Sequence, residues 1–316
     1  MPNDNKGYFD YELRNNFRLS KEFSFSPRVH GMVSVDGRFF DYLNDYGFKG
    51  EVRNAEPWEM YLDCYGDTFD IRLGQQVMRW GKSDEVNPTD VFTPEDLSEF
   101  FNNVERAKRK LPIFALKSDY YYKQYTLETI YLPFFRKTRL DFAGGDWEAF
   151  LPKFYRTSGL PFDPDEGPGP KFSNGSYAIK LKREGENYDV SVSYSYHYAE
   201  IPALELRRMP IMPPLPLSMI VVNPVYPRQQ TFGTDFETVI GKIGFRGEAA
   251  ITTESPFVSY DQAIDSTIVY RDALNYVIGM DYTYPCDLYL NLQYTQQYIF
   301  DYPGSLNTQQ MEDSVV

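Results

Sequence analysis

The run Leu288-Tyr289-Leu290-Asn291-Leu292-Gln293-Tyr294-Thr295-Gln296-Gln297 decides the fold. Leu288, Leu290, Leu292 and Tyr294 fall on one face of an extended chain, and Asn291, Gln293, Thr295 and Gln297 on the other. A period of two residues is the mark of a strand with one apolar and one polar side. The preceding segment repeats it, with Leu274, Tyr276, Ile278, Met280 and Tyr282 against Asn275, Gly279, Asp281 and Thr283. Upstream, Tyr188, Val190, Val192, Tyr194, Tyr196 and Tyr198 alternate with Asp189, Ser191, Ser193, Ser195 and His197, and Phe9, Tyr11, Leu13 and Phe17 alternate with Asp10, Glu12, Arg14 and Arg18. These segments run for about nine to eleven residues, the length of a tilted membrane-spanning strand.

About twelve such strands are predicted, near residues 8–19, 22–36, 57–65, 68–80, 112–122, 124–135, 175–184, 187–198, 230–240, 242–253, 269–284 and 287–300. Alternate connections are tight: Ser20-Lys21-Glu22, Gly66-Asp67, Lys123-Gln124, Gly185-Glu186, Gly241 and Pro285-Cys286. The others are long, near 37–56, 81–111, 136–174, 199–229 and 254–268. Short turns at one end and long loops at the other predict an all-β fold, a transmembrane antiparallel up-and-down β-barrel with periplasmic turns and outer loops. A soluble sandwich or propeller also alternates, but its apolar faces meet in a close-packed core. Here the apolar faces are loaded with tyrosine and the opposite faces carry charges of both signs, which suits lipid outside and water inside. Tyr120, Tyr122, Tyr196, Tyr198, Tyr282, Tyr284 and Tyr298, toward strand ends, would form the interfacial aromatic girdles. Strand parity leads to the expectation of a single barrel domain over 1–316 that lacks a strand at each end, the whole barrel having about fourteen strands or more.

Composition excludes other classes. No stretch of the 316 residues approaches the roughly 20 consecutive apolar residues of a spanning helix. With 27 Tyr, 24 Phe and 3 Trp, the chain has ample surface to bury, which argues against disorder. Cys64 and Cys286 stand in no metal-ligand spacing with His30 and His197, the only histidines, so no metal centre and no cofactor is expected. A net charge of -13 argues against nucleic acid, whose binders need a basic face. The amino terminus, Met1-Pro2-Asn3-Asp4-Asn5-Lys6, has no apolar core of a signal peptide. The expectation is therefore an internal, processed or partial chain.

The most informative stretch is Arg72-Leu73-Gly74-Gln75-Gln76-Val77-Met78-Arg79-Trp80-Gly81-Lys82, followed by Asn87-Pro88-Thr89-Asp90. Pro94 followed by Glu95 and Asp96 is a helix-start signal, and Arg106, Lys108, Arg109 and Lys110 place positive charge at the far end. A helix over about 94–110 is predicted inside the 81–111 loop. Two positions are open for it: folded into the lumen as a constriction, or exposed as an outer cap. This region, with Pro112-Ile113-Phe114-Ala115, Tyr131-Leu132-Pro133-Phe134-Phe135 and Phe245-Arg246-Gly247-Glu248-Ala249-Ala250, resembles a family of porin-like outer-membrane proteins of Gram-negative bacteria known as a domain of unknown function. The hairpin from Val277 to Phe300 is similar to later strands of that family. The resemblance implies a barrel and an envelope transport role, without an assigned substrate or catalytic residue.

Pore-lining candidates on this register are Arg14, Arg28, Asp70, Arg72, Gln76, Lys117, Asp119, Glu128, Lys180, Arg246, Glu248 and Asp281; Arg18, Glu59, Asp63, Lys182, Asp235 and Glu237 share their face. Trp80, Gly81, Asn87, Pro88 and Asp90 form the loop motif. Interspersed charges suit a hydrated pathway that selects by charge and size, or a lumen plugged by ion pairs that hold the barrel in shape. No nucleophile elbow, phosphate loop or metal motif is present, so no enzyme is expected. Asp84-Glu85 and Asp163, Asp165 and Glu166 are acidic clusters without a calcium-loop spacing, and the proline-rich run Pro210 to Pro227 reads as an extended loop. The leading expectation is a channel for passive or partner-assisted passage of small solutes or lipophilic molecules. Its expected partners are outer-membrane lipid, lipopolysaccharide and a periplasmic or inner-membrane transport component. The alternative is a non-transporting barrel whose surface loops bind other envelope proteins.

Overall fold

The computed structural model describes residues 11–44, 47–83, 86–97, 109–139, 167–210, 218–262, 265–284 and 288–302. Its strands are β1 (Tyr11–Ser26), β2 (Val29–Asn44), β3 (Gly47–Tyr65), β4 (Phe69–Gln76), β5 (Ile113–Tyr122), β6 (Tyr125–Leu132), β7 (Ser176–Glu184), β8 (Tyr188–Tyr198), β9 (Ala203–Pro210), β10 (Ser218–Val225), β11 (Arg228–Ile240), β12 (Ile243–Gln262), β13 (Asp265–Thr283) and β14 (Tyr289–Ile299). Twelve of them form one sheet in the order β1 to β8, then β11 to β14, and β9 pairs with β10 as a separate hairpin. Every neighbouring pair is antiparallel. This is the meander of an up-and-down transmembrane β-barrel, with β1 and β14 at the two edges of the sheet.

The two faces differ as the alternation requires. Leu62, Leu73, Leu116, Ile179, Leu181, Ile251, Ile278 and Leu292 stand exposed on the outside, an arrangement that costs apolar hydration in water and none in lipid. Exposed aromatic residues sit at both ends of this band. Phe69, Tyr120, Tyr122, Tyr125 and Tyr188 lie at the tight turns, and Phe114, Tyr131, Phe134, Phe172 and Tyr177 at the long connections. Along β5 the two ends, Phe114 and Tyr122, are separated by about 26 Å at the usual strand rise, or about 20 Å of height at a tilt near 40°, close to a lipid-facing band of about 25 Å.

Several predicted boundaries change. Ser20-Lys21-Glu22 is no turn: β1 runs through it, and the chain reverses at Pro27-Arg28, where proline has no N–H to give to a ladder. Arg28 is therefore a turn residue, ion-paired at 2.8 Å to Asp67 of the next tight turn, and not part of a strand wall. The connections predicted at 37–56 and 254–268 are largely strand, because β2–β3 and β12–β13 continue pairing to Asn44↔Gly47 and Gln262↔Asp265. The connection predicted at 199–229 contains the β9–β10 hairpin. The strand predicted over 68–80 ends at Gln76. Nor does a helix start at Pro94: Glu95 bridges Lys110 and Asp96 bridges Arg139 in extended pairing. Those backbone bonds, Asp96 N–H to Arg109 O at 2.7 Å and Arg139 N–H to Glu95 O at 2.9 Å, replace the orphan N–H groups that the acidic residues would have served at a helix start. Residues 98–108 of the predicted helix lie outside the described residues, as do Asp84-Glu85, the 163–166 acids and Cys286. Cys64 is a free, exposed thiol.

Candidate channel constriction

The connection between β4 and β5 turns inward as soon as β4 ends. The Val77 N–H donates to Glu59 Oε1 at 2.9 Å, and the chain then lays Met78, Trp80 and Phe92 on Ile113, Ala115, Ile130, Leu132 and Ala178 of β5 to β7. All eight are buried. The inner face of these strands is apolar only at the end the connection covers. Beyond it the same face carries Lys117, Asp119, Glu128 and Lys180. Trp80 sits at the boundary, its ring edge-on to Phe92 at 4.7 Å and its indole N–H donating to Glu128 Oε1 at 2.7 Å. The Lys180 ammonium lies 5.2 Å from the Trp80 ring centre.

From Trp80 the chain crosses to the opposite wall. The backbone N–H groups of Lys82 and Ser83 both donate to Glu248 Oε1 of β12, at 2.5 and 2.6 Å, and the Thr89 hydroxyl donates to Oε2 at 3.0 Å. In the sheet order β12 stands six strands from β4, about 29 Å away if the sheet were flat. Six extended residues from Gln76 to Lys82 span at most about 22 Å, so the sheet curves around this segment. Gly81 is required at the crossing: its φ is +96°, and a Cβ there would lie 2.6 Å from both Glu248 carboxylate oxygens. Gly233 of β11 is a second close approach, since a Cβ there would lie 2.8 Å from Thr89 Cγ2.

Asn87-Pro88-Thr89-Asp90 forms a β-turn, closed by the Asp90 N–H to Asn87 O at 3.1 Å, with proline at the position whose φ it presets. The Asn87 side-chain amide lies against the Ser83 and Val86 carbonyls, two acceptors that call for its nitrogen rather than its oxygen on that side. The turn is held at its far side by ion pairs. Lys110 Nζ meets Asp90 at 2.9 Å and Glu95 at 3.4 Å, with both Lys110 and Asp90 buried. Arg139 joins Asp96 at 2.7 Å to Glu56 of β3 at 3.0 Å. Burial opposes the Arg139 charge, yet Asp96 and then Glu56 hold its pKa above the ordinary arginine value. Burial dominates at Arg136 and lowers its pKa, with Glu56 working against that. Burial also opposes the Lys82 charge, but Glu237, followed by Asp189 and Asp235, outweighs it and raises the lysine pKa. The Lys82 ammonium lies 3.1 Å from Glu237 and 3.6 Å from Asp189.

The other sequence candidates fall into separate groups. Lys117 joins Asp119 at 2.9 Å and Glu128 at 4.0 Å, Lys182 also pairs with Glu128, and Lys180 pairs with Asp235 at 2.7 Å. Of these, Lys180, Lys182 and Asp235 line a cavity of about 230 Å³ beside Trp80, together with Arg79, Lys82, Arg183 and Asp189. Arg72 is bidentate to Asp63 at 2.6 and 2.9 Å, and Asp70 accepts from Tyr121 at 2.8 Å. Gln76 is buried and donates to the Ala115 carbonyl at 3.1 Å. Arg246 pairs with Asp281 away from the connection. Arg14 stands on β1 opposite Phe40, and its side chain lies outside the described residues. Sequence reasoning missed Lys82, Ser83, Thr89, Phe92, Lys110, Arg139 and Gly233. A visible signal was present in Pro112-Ile113-Phe114-Ala115, apolar on both faces, which marks a wall that something covers. His197 bonds Thr231 Oγ1 at 3.0 Å and the Tyr198 carbonyl at 3.0 Å. Among the described residues no three His, Cys, Asp or Glu side chains are placed to hold a metal ion.

The fold and this inner segment define a class, the antiparallel β-barrel with one connection folded against its interior wall. The chain belongs to the family described as protein of unknown function (DUF1302), whose model matches residues 4–306. No curated protein matches it in sequence. Among solved structures it is similar to Salmonella typhi OmpF in complex with daunomycin, with TM-score 0.47 and 9% identity over 90% of this chain and 71% of that one. It is also similar to in-vitro folded OmpT, an outer membrane protein of Vibrio cholerae, with TM-score 0.41 and 9% identity over 92% of this chain and 76% of the other.

Proposed function

We propose that this protein is a porin-like channel of the bacterial outer membrane, in which the 77–112 connection narrows the lumen and sets which solutes pass. One observation carries the reading: a single segment is packed on β5 to β7 at one side and hydrogen-bonded to Glu248 of β12 at the other. An exposed cap would have no reason to bury Trp80 and Phe92 against an inner wall. The apolar outer face, with aromatic residues at both ends, supports a wall immersed in lipid. Passage is passive or assisted by an envelope partner, the solutes are small or lipophilic, and selection follows from the charged wall beneath Trp80 without catalysis.

The test is conductance of the folded protein in a planar bilayer. Discrete ohmic steps are expected. A folded, heat-modifiable barrel that never conducts, alone or with an envelope extract, would overturn the channel reading and favour a barrel that works through its surface loops.

A further inference from the structure

Carboxylates crowd the inward face between Trp80 and the tight turns. The sheet register sets Asp70 directly opposite Asp119, and Asp119 opposite Glu128. Glu184 stands opposite Asp189, and Asp189 opposite Glu237. Asp235 stands opposite Glu248. Their neighbours along the chain, among them Phe69, Tyr120, Tyr188 and Phe236, belong to the exposed outer surface, which places the acids inside. Like charges at directly opposed positions of a sheet repel, so such a wall needs cations to offset it. Among the described residues, Arg18, Arg72, Lys117, Lys180, Lys182 and Arg246 each pair with one acid of this face. Lys82 of the inward segment is shared between Glu237 and Asp189.

That matching leaves acids over. Asp70 accepts only from the Tyr121 hydroxyl and the Gly66 N–H. Glu59 and Glu248 are held by backbone N–H groups and, for Glu248, the Thr89 hydroxyl, which leave the carboxylate charge in place. Glu22 and Glu184 are exposed on the same face, and neither meets a lysine or arginine among the described residues. Arg79 and Arg183 also border the cavity beside Trp80, and counting both as inward still leaves the carboxylates in excess. Other strand cations do not redress it. Lys21 stands opposite the exposed outer Val33, Arg228 lies over the outer Tyr196 and Tyr198 rings, and Arg271 lies toward the long connections, donating to the Asp301 carbonyl. Among the described residues no three acids are placed around one ion, so what they offer is a field and not a site. In a narrow aqueous path between low-dielectric walls, an excess of one sign concentrates the opposite ion and repels its own. We propose that the lumen is cation-selective, and that small cations pass in preference to small anions. The inference rests on the channel reading given above and names the charge of its solutes.

The experiment is the reversal potential of the full chain in a planar bilayer across a KCl gradient. Wild type should favour K+ over Cl− on the order of tenfold at about 0.1 M salt. The preference should shrink at about 1 M, where the screening length falls to about 3 Å. The E22Q/D70N/E184Q protein keeps Glu248 and every ion pair named above, and should lose most of the preference while still conducting in discrete steps. A conducting wild type that favours Cl−, or neither ion, overturns the inference and leaves the channel standing. Undiminished preference in the triple variant, or a preference indifferent to salt, overturns its assignment to the field of these carboxylates. A folded, heat-modifiable wild type that gives no steps overturns the channel reading and the selectivity with it.

Discussion

Glu248→Ala is the sharpest perturbation of the proposed constriction. It removes the acceptor of three hydrogen bonds, from the Lys82 and Ser83 N–H groups and the Thr89 hydroxyl. Bonds to a charged partner contribute about 1.5–3 kcal/mol each, which sets an upper bound of about 9 kcal/mol. Water in a hydrated interior can take over some of the freed donors, and a net loss of about 3 kcal/mol is the working figure. That shifts the docked-to-released ratio of the segment on the order of 150-fold, enough to populate the released state if docking is marginal. The assay is single-channel conductance with reversal potentials in a salt gradient: E248A should conduct more and select less by charge. Glu248→Gln keeps an acceptor oxygen and should fall between the two. If E248A matches wild type in both conductance and selectivity while folding normally, Glu248 does not hold a constriction and the reasoning fails.

Gly233→Val should expel the Thr89 turn, since even a Cβ would meet Thr89 Cγ2 at 2.8 Å; the expected readout is conductance close to that of E248A, and unchanged conductance would show that the turn does not dock there. Lys180→Met leaves Asp235 buried without its cation, a defect of about 3–5 kcal/mol, and should lower the temperature at which the barrel unfolds in gels; adding Asp235→Leu should recover part of that loss, and no recovery would deny the coupling. The raised pKa of Lys82 means its contribution to docking is fully present below the free lysine value of about 10.4 and is lost as pH rises through the higher folded value. Conductance should therefore be flat from neutral pH to about pH 10 and change only above it, and K82M should abolish that alkaline change.

The twelve sheet strands were legible because lipid and water on opposite faces enforce a two-residue period, and the Leu288–Gln297 run shows it with little interruption. Turn positions were less legible. Ser20-Lys21-Glu22 is polar enough to read as a turn, but on a barrel the polar face continues through it, and Lys21 simply pairs with Val33. The Pro94-Glu95-Asp96 signal reads the same locally for a helix start and for a strand-like ribbon. Partners at Arg109 and Arg139 decided it, and those are tertiary contacts. The loop motif around Trp80-Gly81 was visible as unusual, yet its anchor, Glu248, lies 166 residues from Lys82. No local pattern marks that carboxylate as different from Asp281, which pairs with Arg246.

The two attachments of the 77–112 segment are unequal, and the inequality fixes how it would move. Against β5 to β7 it buries Met78, Trp80 and Phe92, each contributing about 1.5–3 kcal/mol, in a region that excludes water and so strengthens the Trp80–Glu128 bond. Against the opposite wall it relies on the Glu248 carboxylate and on the ion pairs of Lys82 with Glu237 and Asp189, which are half-exposed and so contribute little. The weaker attachment yields first, so loss of Glu248 should free the Gly81–Thr89 arm while Trp80 stays in its pocket. Tryptophan emission of E248A should accordingly remain that of a buried indole even as conductance rises. A red shift accompanying the rise would mean that the segment leaves as a unit, and that the apolar wall of β5 to β7 holds it less firmly than its burial implies.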